Sequence, residues 1–227
     1  TYKQQKATLE KLKGFKKTIY FYQITETLIE DFKVHLRKKL GNGENTVFTA
    51  LKNLKKYLHL AFDDGINTPL PYNKIKVKRI KGNRDFLEDF EVSNLYKFYN
   101  ESYINPTYKK VLKKFLFSCF TGLRISDVTS ITQNNIVGDY LVFNAQKGNK
   151  FNKIPLIAAA KEFINTEGPI FDDDFTEQCI NENLKEIAKL CSIKKRVTFH
   201  VARHTFATNY LVKGGKVEEL KELLGHS

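Results

Sequence analysis

The sequence lacks any apolar run that approaches the roughly 18 residues a membrane-spanning helix needs. Its start also shows none of the charged, apolar and small-residue order of a secretory signal peptide. These two absences predict a cytoplasmic protein. Methionine is missing altogether and the chain begins with Thr1, a combination that we interpret as a fragment of a longer gene product.

Cysteine is scarce and widely spaced, at Cys119, Cys179 and Cys191. No close CxxC pair occurs, although such pairs are typical of structural zinc sites. All three cysteines lie in apolar or helical contexts, which predicts buried, reduced thiols and no metal site. Internal repeats and low-complexity tracts are also absent, so nothing indicates a fibre or a solenoid.

Positive charge, by contrast, is abundant. Lys and Arg number 38 against 25 Asp and Glu, which gives a formal charge of +13 and a pI near 9.5. This excess favours a polyanionic partner, either nucleic acid or an anionic membrane surface, although basic charge also serves solubility alone. A chain of 227 residues with 41% hydrophobic content fills one large domain or two modest ones.

The first third of the chain predicts two helices. Apolar residues recur at helical spacing over residues 24–40 and again over residues 46–62, with "GNGEN" between them. The second helix carries a basic stripe, which is either a solvated face or a row of phosphate contacts. Its members are Lys52, Lys55, Lys56 and His59.

Residues 66–84 break the helical pattern with two prolines, a glycine and six basic residues. We interpret this segment as an interdomain linker. Its alternation of Ile75, Val77 and Ile80 with basic residues indicates an extended segment laid along phosphates, with a merely soluble linker as the alternative.

Beyond the linker, periodicity predicts helices over residues 91–100 and 107–120. The stretch "GDYLVFNAQKGNKFNKIPL" then alternates with period two around a "KGNK" turn, which predicts a β-hairpin. Helices resume from about Ala158, Phe175, His200 and Val217. The predicted fold is therefore mainly α with a small β-hairpin or sheet in an α+β second domain.

Three short motifs place basic side chains where they can carry chemistry. "CFTGLRISDV" holds Arg124 in a turn between two helices, where it either caps a helix, pairs with an acid or serves a site. "HVARHT" sets His200 and Arg203 on neighbouring positions of one helix face, and periodicity does not decide between His200 and His204. "LKELLGHS" puts His226 directly after a glycine that resembles a helix C-cap.

The ordered set TGLR, a lysine in a hairpin turn, HxxR and LGH resembles the tyrosine recombinases of the phage-integrase family. The similarity is closer still to the integrases of mobile elements from Bacteroides-like bacteria. It covers essentially the whole chain and implies a two-domain DNA clamp. Residues 1–80 would form a helical, SAM-like core-binding domain that ends in the basic linker of about 66–84, and residues 81–227 a catalytic domain.

The resemblance implies a role for each matching residue. Arg124 and Arg203 would grip the non-bridging oxygens of the scissile phosphate, for which planar guanidinium forks are suited. His200 would assist the nucleophile as proton acceptor or hydrogen-bond partner, and His226 would add a hydrogen bond to the phosphate. His204 is assigned to packing.

Lys147, in the hairpin turn, matches the family lysine that protonates the departing 5′ oxygen, and Lys150 is its rival because "QKGNK" departs from the usual KTG-like turn. Asp127 matches an acidic residue that supports the site without touching substrate. The family's nucleophilic tyrosine follows the LGH histidine by about nine residues, beyond Ser227. The chain as given is therefore expected to bind DNA without cleaving it.

The implied function is site-specific DNA recombination through a 3′-phosphotyrosyl intermediate, for integration or excision of a mobile element. No metal or other cofactor is expected, since the arginines stabilise the charge. The expected partners are double-stranded DNA, three further copies in a tetramer, and accessory directionality or host DNA-bending proteins, with no membrane partner. The setting implied is the bacterial nucleoid. The alternatives are a catalytically inactive DNA-binding regulator of the same fold and a type IB topoisomerase-like enzyme.

Overall fold

A computed structural model describes residues 2–80, 82, 85–165 and 169–225. The described residues form two compact units that divide at residues 82–83, which we call the N-terminal and C-terminal units. The fold is mainly helical with one small antiparallel sheet, which confirms the predicted fold class. Within the described ranges, no helix has the length and hydropathy needed to cross a membrane.

The N-terminal unit is built from three α-helices around one apolar core. Thr25 caps the start of helix α2, because its side chain accepts a hydrogen bond from the backbone N–H of Leu28. The fully buried ring of Phe32 lies at the centre of the core. The helices are α1 (Tyr2–Phe15), α2 (Glu26–Val34) and α3 (Glu44–Asp63), with short 3-10 turns at Phe21–Gln23 and Tyr72–Lys74.

The helix predicted over residues 24–40 is confirmed from Glu26 to Lys39, but its last part is not α-helical. After α2 the chain widens into a π-helical turn, His35–Lys39, in which Leu40 N–H donates to the carbonyl of His35. The extra residue in this turn rotates Leu40 out to solvent, whereas Leu36 stays fully buried. Apolar periodicity assumes the same rotation about the helix axis for every residue, so it does not detect such a local change.

Much of the predicted linker, residues 66–84, packs onto the N-terminal unit instead. Leu70 N–H donates to the carbonyl of Ile24, and Ile75 is buried in the core with its carbonyl accepting from Lys55 Nζ. Val77 packs against the same core. Ile75 has extended backbone after the 3-10 turn Tyr72–Lys74, and the segment is anchored to the core as far as Val77. Lys81, Asn83 and Arg84 of the predicted linker lie outside the described residues.

The C-terminal unit is organised around one central helix, α5, which contacts α4, α7, α8 and α9. The N-cap Asn105 and Pro106 in the first turn start this helix. The burial of most of its residues from Val111 onward explains the apolar run around Phe115 and Phe117. The helices are α4 (Asp89–Tyr99), α5 (Pro106–Thr121), α6 (Ile125–Val128), α7 (Ala158–Lys161), α8 (Glu177–Leu190), α9 (Phe199–Val212) and α10 (Val217–Leu223).

The sheet contains three antiparallel strands in the order β1 (Ile136–Val137), β2 (Tyr140–Asn144) and β3 (Phe151–Pro155). Strands β2 and β3 form the predicted hairpin, with Leu141 paired to Ile154 on the buried face. Strand β1 was not predicted from the sequence, because two residues are too few to show alternation. This sheet presents its β2–β3 turn next to the candidate site.

The cysteine predictions are confirmed for one residue. Cys119 is buried in α5, and burial raises the pKa of its thiol well above the usual range. Cys179 and Cys191 are half-buried, and all three are free thiols. Only Cys119 is therefore a core residue of the kind expected.

Sequence patterns gave no sign of a buried ion pair between Lys114 on α5 and Asp173. The Lys114 side chain is 1% exposed and that of Asp173 is 4% exposed. The carboxylate also accepts from the backbone N–H of Phe175. The carboxylate of Asp173, in the segment before α8, thus neutralises a lysine on the apolar side of α5.

Replacing Lys114 with methionine is expected to lower the free energy of unfolding by about 3–5 kcal/mol, because Asp173 is left as an uncompensated buried charge. Urea denaturation of the variant and parent measures the effect. The double variant Lys114→Met, Asp173→Leu serves as the control and is expected to recover most of the loss. A single variant as stable as the parent would contradict this assignment.

Candidate active site

Helix α9 carries Arg203 on a buried face. The helix begins at Phe199, whose backbone N–H donates to Oδ1 of Asn181 on α8 at 2.7 Å. Arg203 is 6% exposed between buried neighbours on the same helix. Its Nη1 donates to the carbonyl of Gly122 at 2.8 Å, and its Nη2 donates to the carbonyl of Leu224. Gly122 and Leu224 are the C-cap residues of α5 and α10, so the guanidinium links the C-terminal ends of both helices to α9.

The electrostatic surroundings of Arg203 are those of a cation poised for an anion. Burial and the neighbouring guanidinium of Arg124 lower the pKa of Arg203 to about 10, while Asp127 acts in the opposite direction. The side chain still carries its charge at neutral pH. A bound phosphate would relieve both the repulsion from Arg124 and the cost of burial.

Gly122 makes this arrangement possible, because it ends α5 in the left-handed conformation, with φ 70° and ψ 12°. A Cβ at this position would lie 2.5 Å from Cδ1 of Phe206 on α9. The glycine therefore meets a backbone requirement and a packing requirement together, and its carbonyl is the one that accepts from Arg203.

Replacing Gly122 with alanine is expected to cost about 2–4 kcal/mol of stability, the sum of left-handed strain and forced repacking against Phe206. Gly138→Ala is the matched control, since Gly138 has φ 59° with nothing within 4 Å of its Cβ position. The control should lose about 1–2 kcal/mol from strain alone. Thermal or urea unfolding measures both, and equal losses would refute the packing term.

Arg124 stands at the N-cap position of α6 with extended backbone. Its side chain makes no capping hydrogen bond; Nη1 lies 3.8 Å from Oδ2 of Asp127. The Arg124 side chain is 25% exposed and that of Asp127 is 2% exposed. Of the structural alternatives for Arg124, pairing with Asp127 is therefore the one observed, and the guanidinium remains accessible to a ligand.

The β2–β3 turn holds Lys147 close to this pair. The second carboxylate oxygen of Asp127, Oδ1, accepts from the backbone N–H of Gln146 at 2.9 Å. Positive φ values at Gly148 and Asn149 confirm the predicted tight turn. Asp127 thus contacts Arg124 with one oxygen and fixes the residue before Lys147 with the other. Lys147 and its rival, Lys150, are both exposed.

His200 and His204 lie on α9 with their rings in edge contact, 4.5 Å between centroids at 78°. His200 is exposed and His204 half-buried, so His200 is the more accessible of the two. His226 lies outside the described residues. Among the residues that the structure describes, no group of three or more His, Cys, Asp or Glu side chains could hold a metal ion.

The structure thus brings the three elements bearing Arg124, Lys147 and Arg203 together around Asp127. His200 lies one helical turn before Arg203 on the same helix. The two carbonyls that orient Arg203, of Gly122 and Leu224, were not predicted from the sequence. Gly122 and Gly225 gave the available signal, because a glycine at the end of a helix marks carbonyls that lack partners within the helix.

Two family models match the chain. The phage integrase SAM-like domain matches residues 1–78, and the phage integrase family matches residues 85–227. The chain therefore belongs to the phage integrase family, the tyrosine recombinases, which transfer DNA strands.

Curated relatives agree with this assignment. A tyrosine recombinase of Thermosipho africanus is 30% identical over 216 residues, covering 88% of this chain and 75% of the relative. The tyrosine recombinase XerC of Rhizobium meliloti is 26% identical over 212 residues, covering 84% and 66%. These relatives do not bear on the narrower resemblance to integrases of Bacteroides-like bacteria, which stays a prediction.

Solved structures share the fold. The Tn1549 transposon integrase in complex with a circular intermediate DNA superposes with a TM-score of 0.76 at 15% identity, covering 98% of this chain and 84% of that one. A lambda integrase dimer bound to a core site gives a TM-score of 0.78 at 16% identity, covering 98% and 83%.

Proposed function

We propose that this chain supplies the DNA-gripping and phosphate-activating parts of a site-specific recombinase that cuts and rejoins DNA through a 3′-phosphotyrosyl intermediate. The carrying observation is the convergence on Asp127 of Arg124 and the Lys147 turn, beside the buried Arg203. Two guanidinium groups beside one carboxylate, with Lys147 on the adjoining turn, leave an excess of positive charge that a phosphodiester would balance.

The proposed cleavage step is a displacement at phosphorus. A tyrosine hydroxyl, in the segment that follows Ser227, attacks the scissile phosphorus while His200 accepts or orients its proton. The P–O5′ bond breaks as Lys147 Nζ delivers a proton to the leaving oxygen. Arg124 and Arg203 neutralise the charge on the non-bridging oxygens, and His226 is assigned a further hydrogen bond to them.

The second step reverses the first. A 5′ hydroxyl from a partner strand attacks the phosphotyrosyl bond, and the tyrosine leaves with its proton restored, so the bond energy is conserved without a nucleotide or metal. Exchange between two duplexes requires four protomers, hence the proposed tetramer on DNA. Integration or excision of a mobile element, with accessory directionality or DNA-bending proteins in the nucleoid, is the proposed setting.

Binding to duplex DNA is expected to weaken steeply with salt. With about six phosphate contacts, the affinity should fall on the order of 10³-fold between 50 and 200 mM NaCl. The counterions that binding releases from the DNA gain less entropy when the surrounding salt is more concentrated. Fluorescence anisotropy with a labelled duplex over a salt series measures the slope. An affinity that does not change with salt would contradict a phosphate clamp.

A nicked suicide duplex tests the function itself. The protein extended beyond Ser227 is incubated with a duplex from the end of its own element, nicked just 3′ of the scissile phosphate, so that the short strand diffuses away and the covalent adduct accumulates. Denaturing gels should show an adduct on this duplex and none on duplexes of random sequence.

The alternatives predict different gels. A type IB topoisomerase-like enzyme would form adducts on random duplexes as well and relax supercoiled plasmid as a monomer. A regulator of the same fold would bind the specific duplex and form no adduct with any of them, which would refute the proposed cleavage.

A further inference from the structure

Asn152 is a buried polar residue next to the site that has no assigned role. It lies on β3 and is 7% exposed. Its Nδ2 donates to the carbonyl of Lys150 at 2.7 Å, and the backbone N–H of Ala145 donates to the same oxygen at 2.9 Å. These two bonds close the β2–β3 turn at its base, so Asn152 helps to define where Lys147 is presented.

The other end of the same amide faces the end of α10. A Cβ on Gly225 would lie 2.9 Å from Asn152 Oδ1, so the glycine backbone passes directly over the amide. Gly225 has φ 61° and follows Leu224, whose carbonyl accepts from Arg203. Helix α10 also contacts β3. The amide therefore touches both the turn that carries Lys147 and the helix end that orients Arg203.

We propose that Asn152 is a positioning residue that sets the Lys147 turn at a fixed distance from the α10 end and Arg203. Asp127 holds one side of the turn through the Gln146 N–H, and the Asn152 Nδ2 bond to the Lys150 carbonyl ties the other side to the amide. The amide Oδ1 packs against Gly225, so the turn is located relative to the α10 end as well as to Asp127.

This inference rests on the proposed function, with Lys147 as the proton donor. A leaving group that needs no proton reports directly on that role. In a 5′-bridging phosphorothiolate, sulfur replaces the leaving oxygen, the P–S bond breaks, and the stable thiolate departs without taking a proton from the enzyme. Loss of proton delivery slows the ordinary substrate and spares the sulfur one.

The test compares cleavage rates of the extended protein and its Asn152→Ala variant on nicked duplexes with oxygen or sulfur at the 5′ bridge. We expect Asn152→Ala to slow cleavage of the oxygen substrate by about 100-fold, the effect of a displacement of about 1 Å, and that of the sulfur substrate by less than about threefold. Asn152→Asp, which keeps the shape but lacks the Nδ2 donor, should behave the same way.

Asn144→Ala, at an exposed position on the paired strand β2, is the control and should match the parent on both substrates. Equal slowing of Asn152→Ala and Asn152→Asp on oxygen and sulfur substrates would show a merely structural role and overturn the proposal, as would parental rates on the oxygen substrate. Failure of the proposed function looks different, because the parent itself would then cleave neither substrate.

Discussion

Arg203→Ala in the protein extended beyond Ser227 is expected to slow covalent strand cleavage by about 10²- to 10³-fold, the usual cost of one preorganised donor to a developing anion. Duplex binding should fall by less than tenfold, because many other basic residues contribute to it. Single-turnover adduct formation on a nicked duplex measures the first quantity, and anisotropy measures the second. Cleavage at near the parental rate would refute the assignment.

The variant also leaves the carbonyls of Gly122 and Leu224 without their Arg203 donors. Each unsatisfied buried carbonyl costs about 1–3 kcal/mol, so stability must be measured alongside activity. Arg124→Ala is the matched control, since its side chain is partly exposed and makes one long ion pair with Asp127. Arg124→Ala should lose a similar factor in cleavage with a smaller loss of stability, because the buried Asp127 keeps the Gln146 N–H and the nearby Arg203 charge. This difference separates phosphate contact from packing.

Lys147→Ala is expected to slow cleavage by about 10²- to 10⁴-fold, the range that general acid catalysis supplies. Lys150→Ala should slow it by less than tenfold, because Lys147, and not Lys150, directly follows Gln146, the residue that Asp127 holds beside Arg124. Both variants are compared with the parent on the ordinary nicked duplex under single-turnover conditions.

If Lys150→Ala slowed cleavage by the larger factor and Lys147→Ala by the smaller one, Lys150 would be the proton donor and Lys147 a DNA contact. Both lysines are exposed, so neither substitution is expected to change the melting temperature by more than about 2 °C. A parental rate for both variants would mean that neither lysine delivers the proton.

The sequence predicted the candidate site residues better than it predicted the groups that position them. Arg124, Lys147 and Arg203 were predicted as site residues because the ordered motifs that contain them resemble those of the tyrosine recombinases, and their roles stay predictions. Asp127 was found in the same way, as part of the resemblance. The structure adds that its two oxygens serve two different partners, Arg124 and the Gln146 backbone.

Features made of backbone were the ones that the sequence could not reveal. The carbonyls that orient Arg203 belong to Gly122 and Leu224, which meet only in the folded chain. The π-helical turn His35–Lys39 differs from an α-helix by one residue per turn, which apolar spacing does not resolve. The carbonyl partners of Arg203 depend on contacts between distant segments, and the C-cap glycines mark only that unpartnered carbonyls lie nearby.

The most direct test of the proposed role of Arg203 changes the scissile phosphate of the DNA as well as the arginine. A methylphosphonate at the scissile position removes the negative charge that Arg203 is proposed to neutralise. The cleavage penalty of Arg203→Ala should then shrink by about tenfold or more relative to the phosphate substrate, because arginine and oxygen are energetically coupled. The same penalty on both substrates would show that Arg203 does not contact the scissile phosphate, and would contradict the site described for this chain.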